Sequence, residues 1–175
     1  MSIVVVNTEH SSTFLSGITD KHVQQAAVDV SLENVWEMAG EFVIDENAKT
    51  PRTTVQFHPD LDGFYQLKDG MSYEISFDHD IAIGPDEAGL IVTRSTLVRA
   101  GLVLVSGMWD PGFSGRGGCC LHVRGGPARI RRGTRVGQFV VWKVANARGT
   151  YDGDYGLDST GKPKDMESKY HTTQR

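Results

Sequence analysis

Hydroxyl, guanidinium and carboxylate side chains are concentrated in one turn-rich segment past the middle of the chain. Arg94, Ser95 and Arg99 present a hydroxyl and two guanidinium groups, whose hydrogen-bond donors suit phosphate oxygens. Asp110 presents a carboxylate that could take a proton from water. Phe113 follows on a glycine-flanked turn, where its flat apolar face could lie against a sugar or base. The segment therefore predicts a phosphate-binding site beside a general base.

Further polar residues lie on predicted strands on both sides of this segment. Asp29 follows two alanines in a run of alternating apolar residues, which predicts a strand carrying a buried acid or an edge strand whose acid caps a loop. Arg135 and Gln138 lie in Gly133–Phe139, at the start of a strongly apolar strand. Five arginines between Arg124 and Arg135 could form an anion-attracting rim, and a solvated hairpin accounts for them equally well.

Length and composition favour one soluble globular domain. The chain has 175 residues, with 39% hydrophobic and 23% charged residues, which is ordinary for a single folded domain. A net charge of -4 argues against a general nucleic-acid binder, and no apolar run approaches membrane-spanning length. We therefore expect no nucleic-acid partner, no membrane partner and a cytoplasmic location. The adjacent Cys119 and Cys120 point to opposite faces of a predicted strand, which favours buried free thiols.

Short apolar runs bounded by Gly, Pro or Asp predict an all-β barrel or sandwich. The predicted strands are residues 3–6, 24–32, 71–77, 89–92, 102–105, 118–123 and 136–144. Residues 11–19 and 95–100 are the two places where a helical turn is expected. Residues 45–62 predict a long loop or an irregular hairpin, and the polar tail from about residue 146 predicts a segment that is disordered or docks onto something else.

Taken in order, these segments resemble the motifs of the trimeric dUTPase and dCTP deaminase superfamily. The resemblance covers roughly residues 22–161 and rests on five segments: 24–32, 94–99, 109–115, 133–139 and, more loosely, 151–162. It implies a distorted β-barrel or jelly roll with few short helices, assembled as a homotrimer whose sites are shared between subunits. It also implies a dUTPase-like β domain over residues 1–145 and a Gly/Asp/Ser-rich arm over residues 146–175 that could close over a site.

The resemblance also implies a role for each candidate residue, with a deoxyribonucleoside triphosphate as the ligand and Mg²⁺ as the cofactor. Asp110 would orient and deprotonate the attacking water, and Phe113 would lie under the deoxyribose. Phosphate contacts would come from Arg94, Ser95, Thr96, Arg99 and Gln138. The base would meet the backbone at Gly118 and Cys119 and would stack on Tyr151 or Tyr155. Arg135 would form a structural ion pair, and Asp29 would have an indirect metal or positioning role.

One position separates the two activities of the superfamily. Deaminases of this group carry a Glu where this chain has Cys120, and a thiol is a poor substitute for a carboxyl that must accept and donate protons. No acidic residue occurs between Asp110 and Asp152, and His122 is the one strand neighbour that could take over the role. The resemblance therefore implies hydrolysis of dUTP to dUMP and pyrophosphate.

Three alternatives stay open. The first is a dCTP deaminase, either monofunctional or bifunctional. The second is a pyrophosphatase for dCTP or a modified deoxypyrimidine triphosphate. The third is a non-catalytic nucleotide-sensing or partner-binding protein on the same scaffold.

Overall fold

A computed structural model describes residues 2–164 of the chain, and these residues form an almost entirely β structure. Thirteen strands and one short helix occur in this part of the chain. Their bounds are β1 Ile3–Val4, β2 Phe14–Leu15, β3 Val28–Ala39, β4 Val43–Ile44, β5 Lys49–Thr50, β6 Thr53–Phe57, β7 Phe64–Leu67, β8 Ser72–Ala82, β9 Glu87–Thr93, α1 Ser95–Arg99, β10 Leu102–Val105, β11 Ser114–Val123, β12 Ala128–Arg131 and β13 Arg135–Lys143.

Nine of the strands form one curled antiparallel sheet, a half-barrel. Its main order is β1-β13-β3-β8-β11-β10, while β2 pairs with β8, β6 with β3, and β9 with β13. The pairs β12-β7 and β4-β5 form two small separate sheets. The distorted, dUTPase-like all-β fold expected from the sequence is therefore confirmed.

One face of the long strands carries the core, because alternate residues of a strand point to the same face. Its fully buried members include Val30, Leu32, Ile75, Phe77, Leu121, Val123, Phe139 and Val141. Register shifts interrupt the pairing of β11 with β8 and of β13 with β3. No helix within residues 2–164 has the length and apolar character needed to cross a bilayer.

The predicted elements agree with the structure except near the amino terminus and in the region after β3. The helix expected over residues 11–19 is wrong, because Phe14 and Leu15 pair with β8 as a short strand. The region 45–62 contains the end of the small β4-β5 hairpin and also β6, which extends the main sheet beside β3. The hairpin alternative is thus correct in part, and the long-loop alternative is wrong.

Glu87 is a fully buried carboxylate that fastens the amino-terminal segment to β9. It accepts hydrogen bonds from the backbone N–H groups of Ser12 (3.1 Å) and Thr13 (2.8 Å) and from the Ser11 hydroxyl (2.9 Å). The Lys143 ammonium lies 2.8 Å from its Oε1. Burial opposes ionisation of the carboxyl, but the hydrogen bonds from Lys143 and from Ser11 to Thr13 outweigh it and lower the pKa of Glu87 to about 2.

Candidate functional site

The predicted site residues fall into two groups within a single chain. Six of them line a cleft of about 610 Å³ beside β11, namely Asp110, Phe113, Gly118, Cys119, Tyr151 and Tyr155. Asp29, Arg94, Arg135 and Gln138 form a separate group, the Asp29 cluster, and Ser95, Thr96 and Arg99 lie on α1 next to it. Among the residues that the structure describes, no member of the second group lines the cleft.

One edge of β11 is available to a ligand inside the cleft. β10 ends at Val105 and pairs with β11 only from Cys120 onward, so between Arg116 and Cys119 β8 is the only strand that pairs with β11 within the described chain. Backbone N–H and C=O groups on that open edge could pair with a planar base. This geometry agrees with the expectation that the strand contacts a base through its backbone.

Two glycines on this edge are required by close packing. A Cβ at Gly118 would lie 2.7 Å from the backbone oxygen of Ile75, and a Cβ at Gly117 would lie 2.5 Å from the Trp109 ring. Any larger residue would displace the neighbouring strand or the indole. The two glycines therefore keep the cleft floor close to the strands beneath it.

Asp110 lies exposed at the mouth of the cleft, on a turn that is anchored from both sides. Trp109, its neighbour, exchanges two backbone hydrogen bonds of 2.9 Å with Gly89. The Asp110 carbonyl accepts a hydrogen bond from the Phe113 backbone N–H at 3.1 Å. The carboxylate thus has a fixed backbone and access to water, as a group that orients an attacking water requires.

Phe113 belongs mainly to the core. Its side chain is 8% exposed, stacks on Trp109 at a centroid distance of 5.8 Å, and meets Tyr151 edge to face at 5.4 Å. Only a small part of the ring forms cleft wall. Its role as a platform for a sugar stays a prediction, and it would use that limited face.

The carboxyl-terminal arm docks onto the Asp110 turn of its own chain. The Tyr151 N–H donates to the Pro111 carbonyl at 2.6 Å, and the Leu157 N–H donates to the Ser114 carbonyl at 2.7 Å. The Tyr155 N–H donates to the Tyr151 hydroxyl at 3.2 Å, so the two tyrosines are coupled. Both rings line the cleft. Part of the predicted arm, residues 165–175, lies outside the described residues.

Lys49 holds the arm from the opposite side, a contact that the sequence did not reveal. Its ammonium lies 2.6 Å from Asp154 Oδ2 and 5.4 Å from the centre of the Tyr155 ring. Because Lys49 comes from the β4-β5 hairpin, about a hundred residues earlier in the chain, no local pattern indicates the pairing. The hairpin thus supports the arm, whose Tyr151 and Tyr155 line the cleft.

The Asp29 cluster is a buried ion-pair network. Asp29 is fully buried, and its Oδ2 lies 3.2 Å from Arg94 Nε and 3.0 Å from Arg135 Nη1. The Gln138 amide donates to Asp29 Oδ1 at 3.3 Å, and Arg94 Nη1 donates to the Arg135 carbonyl at 3.0 Å. Arg135 therefore forms the structural ion pair expected of it.

This network bears on the expected role of Asp29. Both carboxylate oxygens accept hydrogen bonds from Arg94, Arg135 or Gln138, and the indirect metal role stays a prediction. Positioning fits better, because the carboxylate joins β3 to β13 and to the residue that precedes α1. Phosphate binding by Arg94 and Gln138 stays a prediction, since both side chains donate to Asp29.

The helix α1 presents Ser95, Thr96 and Arg99 to solvent. Two contacts of Arg94 hold the start of this helix. Its side chain pairs with Asp29, and its backbone N–H donates to the Val136 carbonyl at 3.1 Å. The exposed hydroxyls and the guanidinium are thereby presented together on a fixed turn. A phosphate chain contacting this surface would lie outside the cleft of the same chain.

Most of the arginines between Arg124 and Arg135 are paired with carboxylates. Arg129 pairs with Asp60 at 3.3 Å and Arg132 with Glu33 at 3.3 Å, in addition to the Arg135 pair. A dense anion-attracting rim is therefore not supported. Arg116, which the sequence did not single out, lines the cleft.

Glu74 is the other functional candidate that the sequence missed. It lies on β8 opposite Cys120 of β11, and both residues line the cleft. Burial, together with the charge of Glu74, raises the pKa of the Cys120 thiol, and burial raises the pKa of Cys119. Both cysteines are free, as expected. His122, in contrast, bonds to the Ser72 hydroxyl at 2.6 Å and is not among the residues that line the cleft.

Comparisons of this chain with a family model and with curated proteins agree with one another. A model of the dCTP deaminase-like family matches residues 7–144. The deoxyuridine 5'-triphosphate nucleotidohydrolase of Methanocaldococcus jannaschii is 28% identical over 155 residues, covering 87% of this chain and 98% of the relative. A probable deoxyuridine 5'-triphosphate nucleotidohydrolase of Aeropyrum pernix is 30% identical over 143 residues, covering 81% of this chain and 89% of the relative.

A solved structure shares the fold. The 2'-deoxycytidine 5'-triphosphate deaminase from Agrobacterium tumefaciens superposes with a TM-score of 0.58 at 16% identity. The match covers 78% of this chain and 44% of the deaminase chain, so this chain spans less than half the length of that relative.

Proposed function

Because this chain belongs to the dCTP deaminase-like family, we propose that it hydrolyses dUTP to dUMP and pyrophosphate. Archaeal relatives named as dUTP nucleotidohydrolases match it over most of their own length. The observation that carries the proposal is the placement of Asp110, an exposed carboxylate on an anchored turn at the mouth of the cleft. Asp110 is the group that performs the chemistry.

In this mechanism Asp110 orients a water molecule and takes its proton. The water oxygen attacks the α-phosphorus. The bond from the α-phosphorus to the oxygen that it shares with the β-phosphorus breaks, and pyrophosphate leaves. The open edge of β11 holds the base, and the exposed part of Phe113 contacts the sugar. The anchored turn keeps the carboxylate in place relative to the base, which lowers the entropic cost of the attack.

The triphosphate is bound by a second subunit. Ser95, Thr96 and Arg99 offer hydroxyl and guanidinium donors, yet they lie outside the cleft that contains Asp110. A homotrimer in which α1 of one subunit faces the cleft of another would bring base, sugar and phosphates together. The separation of the two groups within one chain supports this shared site.

The donor set fits a magnesium ion that is held through the substrate. Within residues 2–164 no three His, Cys, Asp or Glu side chains form a metal-binding group. Mg²⁺ commonly keeps several waters and is bound through substrate phosphates with one or two carboxylates. Mg²⁺ on the triphosphate would neutralise charge on the phosphate oxygens, and the exposed Asp110 carboxylate would hold a water near it.

Deamination of dCTP is the second candidate, and Glu74 is the observation that favours it. Glu74 puts a carboxylate beside Cys120, where the deaminases of the superfamily have their Glu. A deaminase would need this one carboxylate both to activate water and to protonate the departing amine. Hydrolysis asks of its carboxylate, Asp110, only that it activate the water, and hydrolysis is therefore preferred.

Product analysis tests the proposal. The full chain is incubated with Mg²⁺ and each deoxynucleoside triphosphate, and the products are separated by chromatography. We expect dUMP and pyrophosphate from dUTP. A uridine nucleotide released from dCTP would support the deaminase instead, and tight nucleotide binding without any turnover would support a sensing protein. The proposal includes a cytoplasmic location and neither a nucleic-acid nor a membrane partner.

A further inference from the structure

The segment of residues 16–22, the strap, follows β2 and carries one of two histidines that contact each other. At its start the Ser16 N–H donates to the Asp80 carbonyl at 2.9 Å, and the Asp80 N–H donates to the Ser16 hydroxyl at 2.7 Å. At its end lies His22, whose ring meets the ring of buried His79 edge to face at 5.4 Å. Because Asp80 and His79 both belong to β8, this strand holds the strap at its two ends.

The strap also contacts the Asp29 cluster. The Lys21 carbonyl accepts a hydrogen bond from the guanidinium of Arg135 on β13. The His22 carbonyl accepts one from the backbone N–H of Asp29 on β3 at 2.8 Å. His22 Nε2 lies 3.3 Å from the hydroxyl of Ser31 on the same strand. The strap therefore joins β3 to β13 beside the buried carboxylate.

The contacts of His79 fit only a neutral ring. Its Nδ1 lies 2.8 Å from the Ser16 carbonyl oxygen, an acceptor, so Nδ1 carries the hydrogen. Its Nε2 accepts the backbone N–H of Ser31 at 3.1 Å, so Nε2 carries none. A second proton at Nε2 would face the Ser31 N–H and break that bond. Asp78 and Asp80, the charged neighbours on β8, are exposed and point away from the ring.

The contacts of His22 have the same requirement. Its Nδ1 accepts the Thr19 backbone N–H at 3.2 Å and lies 3.0 Å from the Thr19 hydroxyl, so Nε2 carries the hydrogen. Burial lowers the pKa of His22, and the neighbouring His79 and the charge of Arg135 lower it further. Asp29 on β3 acts in the opposite direction without reversing the shift. Both rings of the pair are thus held in their neutral forms.

We propose that the strap is a proton-operated latch, which is closed against β3 and β8 while His22 and His79 are neutral and opens when they bind protons. In the open segment each imidazole has its ordinary pKa of about 6.5. The contribution of the pair to closing is therefore complete above about pH 6.5 and is lost as the pH falls below it. Opening separates the Lys21 carbonyl from Arg135 and the His22 carbonyl from Asp29, so the link between β3 and β13 weakens.

Hydrogen exchange at pH 7.5 and pH 5.5 tests the latch in the full chain. Mass spectrometry gives protection factors, corrected for intrinsic exchange, for a peptide that covers the strap and for one that covers residues 114–123 of β11. Each imidazole that must stay neutral in the closed state makes opening about tenfold more favourable at pH 5.5. We expect strap protection to fall about tenfold or more, while protection in β11 changes less than about threefold.

Two variants assign the effect to the histidine pair. The double variant His22→Gln/His79→Gln replaces both rings with amides, which bind no proton at these pH values. Its strap protection should change less than about threefold between pH 7.5 and pH 5.5. His10→Gln is the matched control, because His10 is exposed and lies outside the strap. Its strap protection should fall as much as that of the wild type.

Nitrogen NMR of the wild-type imidazoles supplies a measurement that needs no variant. At pH 7.5 the ¹⁵N shifts should show His79 protonated at Nδ1 and His22 protonated at Nε2. The opposite tautomer at His79, or a charged ring at this pH, overturns the inference. So does strap protection that is equal at the two pH values, an equal fall in the double variant, or an equal fall in β11. These measurements use no nucleotide, so their outcome is independent of dUTP hydrolysis.

Discussion

The carboxylate of Asp29 on β3 accepts a hydrogen bond from the guanidinium of Arg135 on β13 at 3.0 Å, with Asp29 fully buried. Arg94 contacts the same oxygen, Oδ2, at 3.2 Å. The acid thus holds together the two strands and the turn that starts α1. Its part in the proposed site is to keep the phosphate-binding surface of α1 in place.

Asp29→Asn should destabilise the protein, because it leaves two guanidinium groups close together without their shared negative partner. Breaking a buried ion pair by removing one member costs about 3 kcal/mol or more. Urea denaturation should therefore show a loss in unfolding free energy of about that size. Asp20→Asn, at an exposed position, is the matched control and should change stability little. Equal stability of the two variants would contradict this role of Asp29.

The free energy of unfolding should decrease at pH values below 4.5, because Glu87 of the unfolded chain becomes protonated there. The pKa of this carboxyl is about 2 in the folded protein, against an ordinary value of 4.5. A depressed pKa contributes stability that is complete above the unfolded value and is lost as the pH falls toward the folded value. Between pH 6 and pH 3 the loss from this group is about 2 kcal/mol.

The pH dependence is measured by urea denaturation of the wild type and of Glu87→Gln at both pH values. The wild type should lose about 2 kcal/mol more than the variant between pH 6 and pH 3. Other carboxylates titrate equally in both proteins, so their effect cancels in the difference. Parallel losses in the two proteins would show that Glu87 ionises in the folded state as it does in the unfolded chain.

Lys49→Met should loosen the carboxyl-terminal arm. The substitution keeps the length of the side chain but removes the ammonium that lies 2.6 Å from Asp154 and over the Tyr155 ring. Partly exposed ion pairs contribute up to about 1 kcal/mol, so the KM for dUTP should rise about threefold while kcat changes less.

Limited proteolysis supplies a second readout for the same variant. Cleavage within the arm should be faster in Lys49→Met than in the wild type, because the arm leaves its docked position more often. Lys21→Met, at an exposed position, is the matched control and should resemble the wild type. An unchanged KM together with unchanged proteolysis would show that Lys49 does not hold the arm.

The sequence predicted the sheet and the Asp110 turn because both follow from local patterns. A short continuous apolar run located β10 at Leu102–Val105, and turn-forming residues around Asp110 located the turn at the mouth of the cleft. Arg135 was expected to form an ion pair, and the sequence could not give its partner Asp29, more than a hundred residues away.

Contacts between distant strands explain what was missed. Glu74 has no unusual neighbours in the sequence, and only the register of β8 against β11 places it beside Cys120. The pairing of Lys49 with Asp154 depends likewise on a hairpin meeting the arm. The short strand at Phe14–Leu15 was mistaken for helix because its order comes from β8 and from buried Glu87, not from local propensity.

Hydrolysis by an Asp110-activated water is tested most directly with Asp110→Asn. This variant keeps the size of the side chain but removes the proton acceptor, so kcat for dUTP should fall about a thousandfold. The affinity for the α,β-imido analogue of dUTP, measured by calorimetry, should stay within about threefold of the wild type, because the base and phosphate contacts remain. Asp78→Asn, an exposed β8 residue outside the cleft lining, should be fully active. An Asp110→Asn variant that hydrolyses dUTP at the wild-type rate would contradict the proposed mechanism.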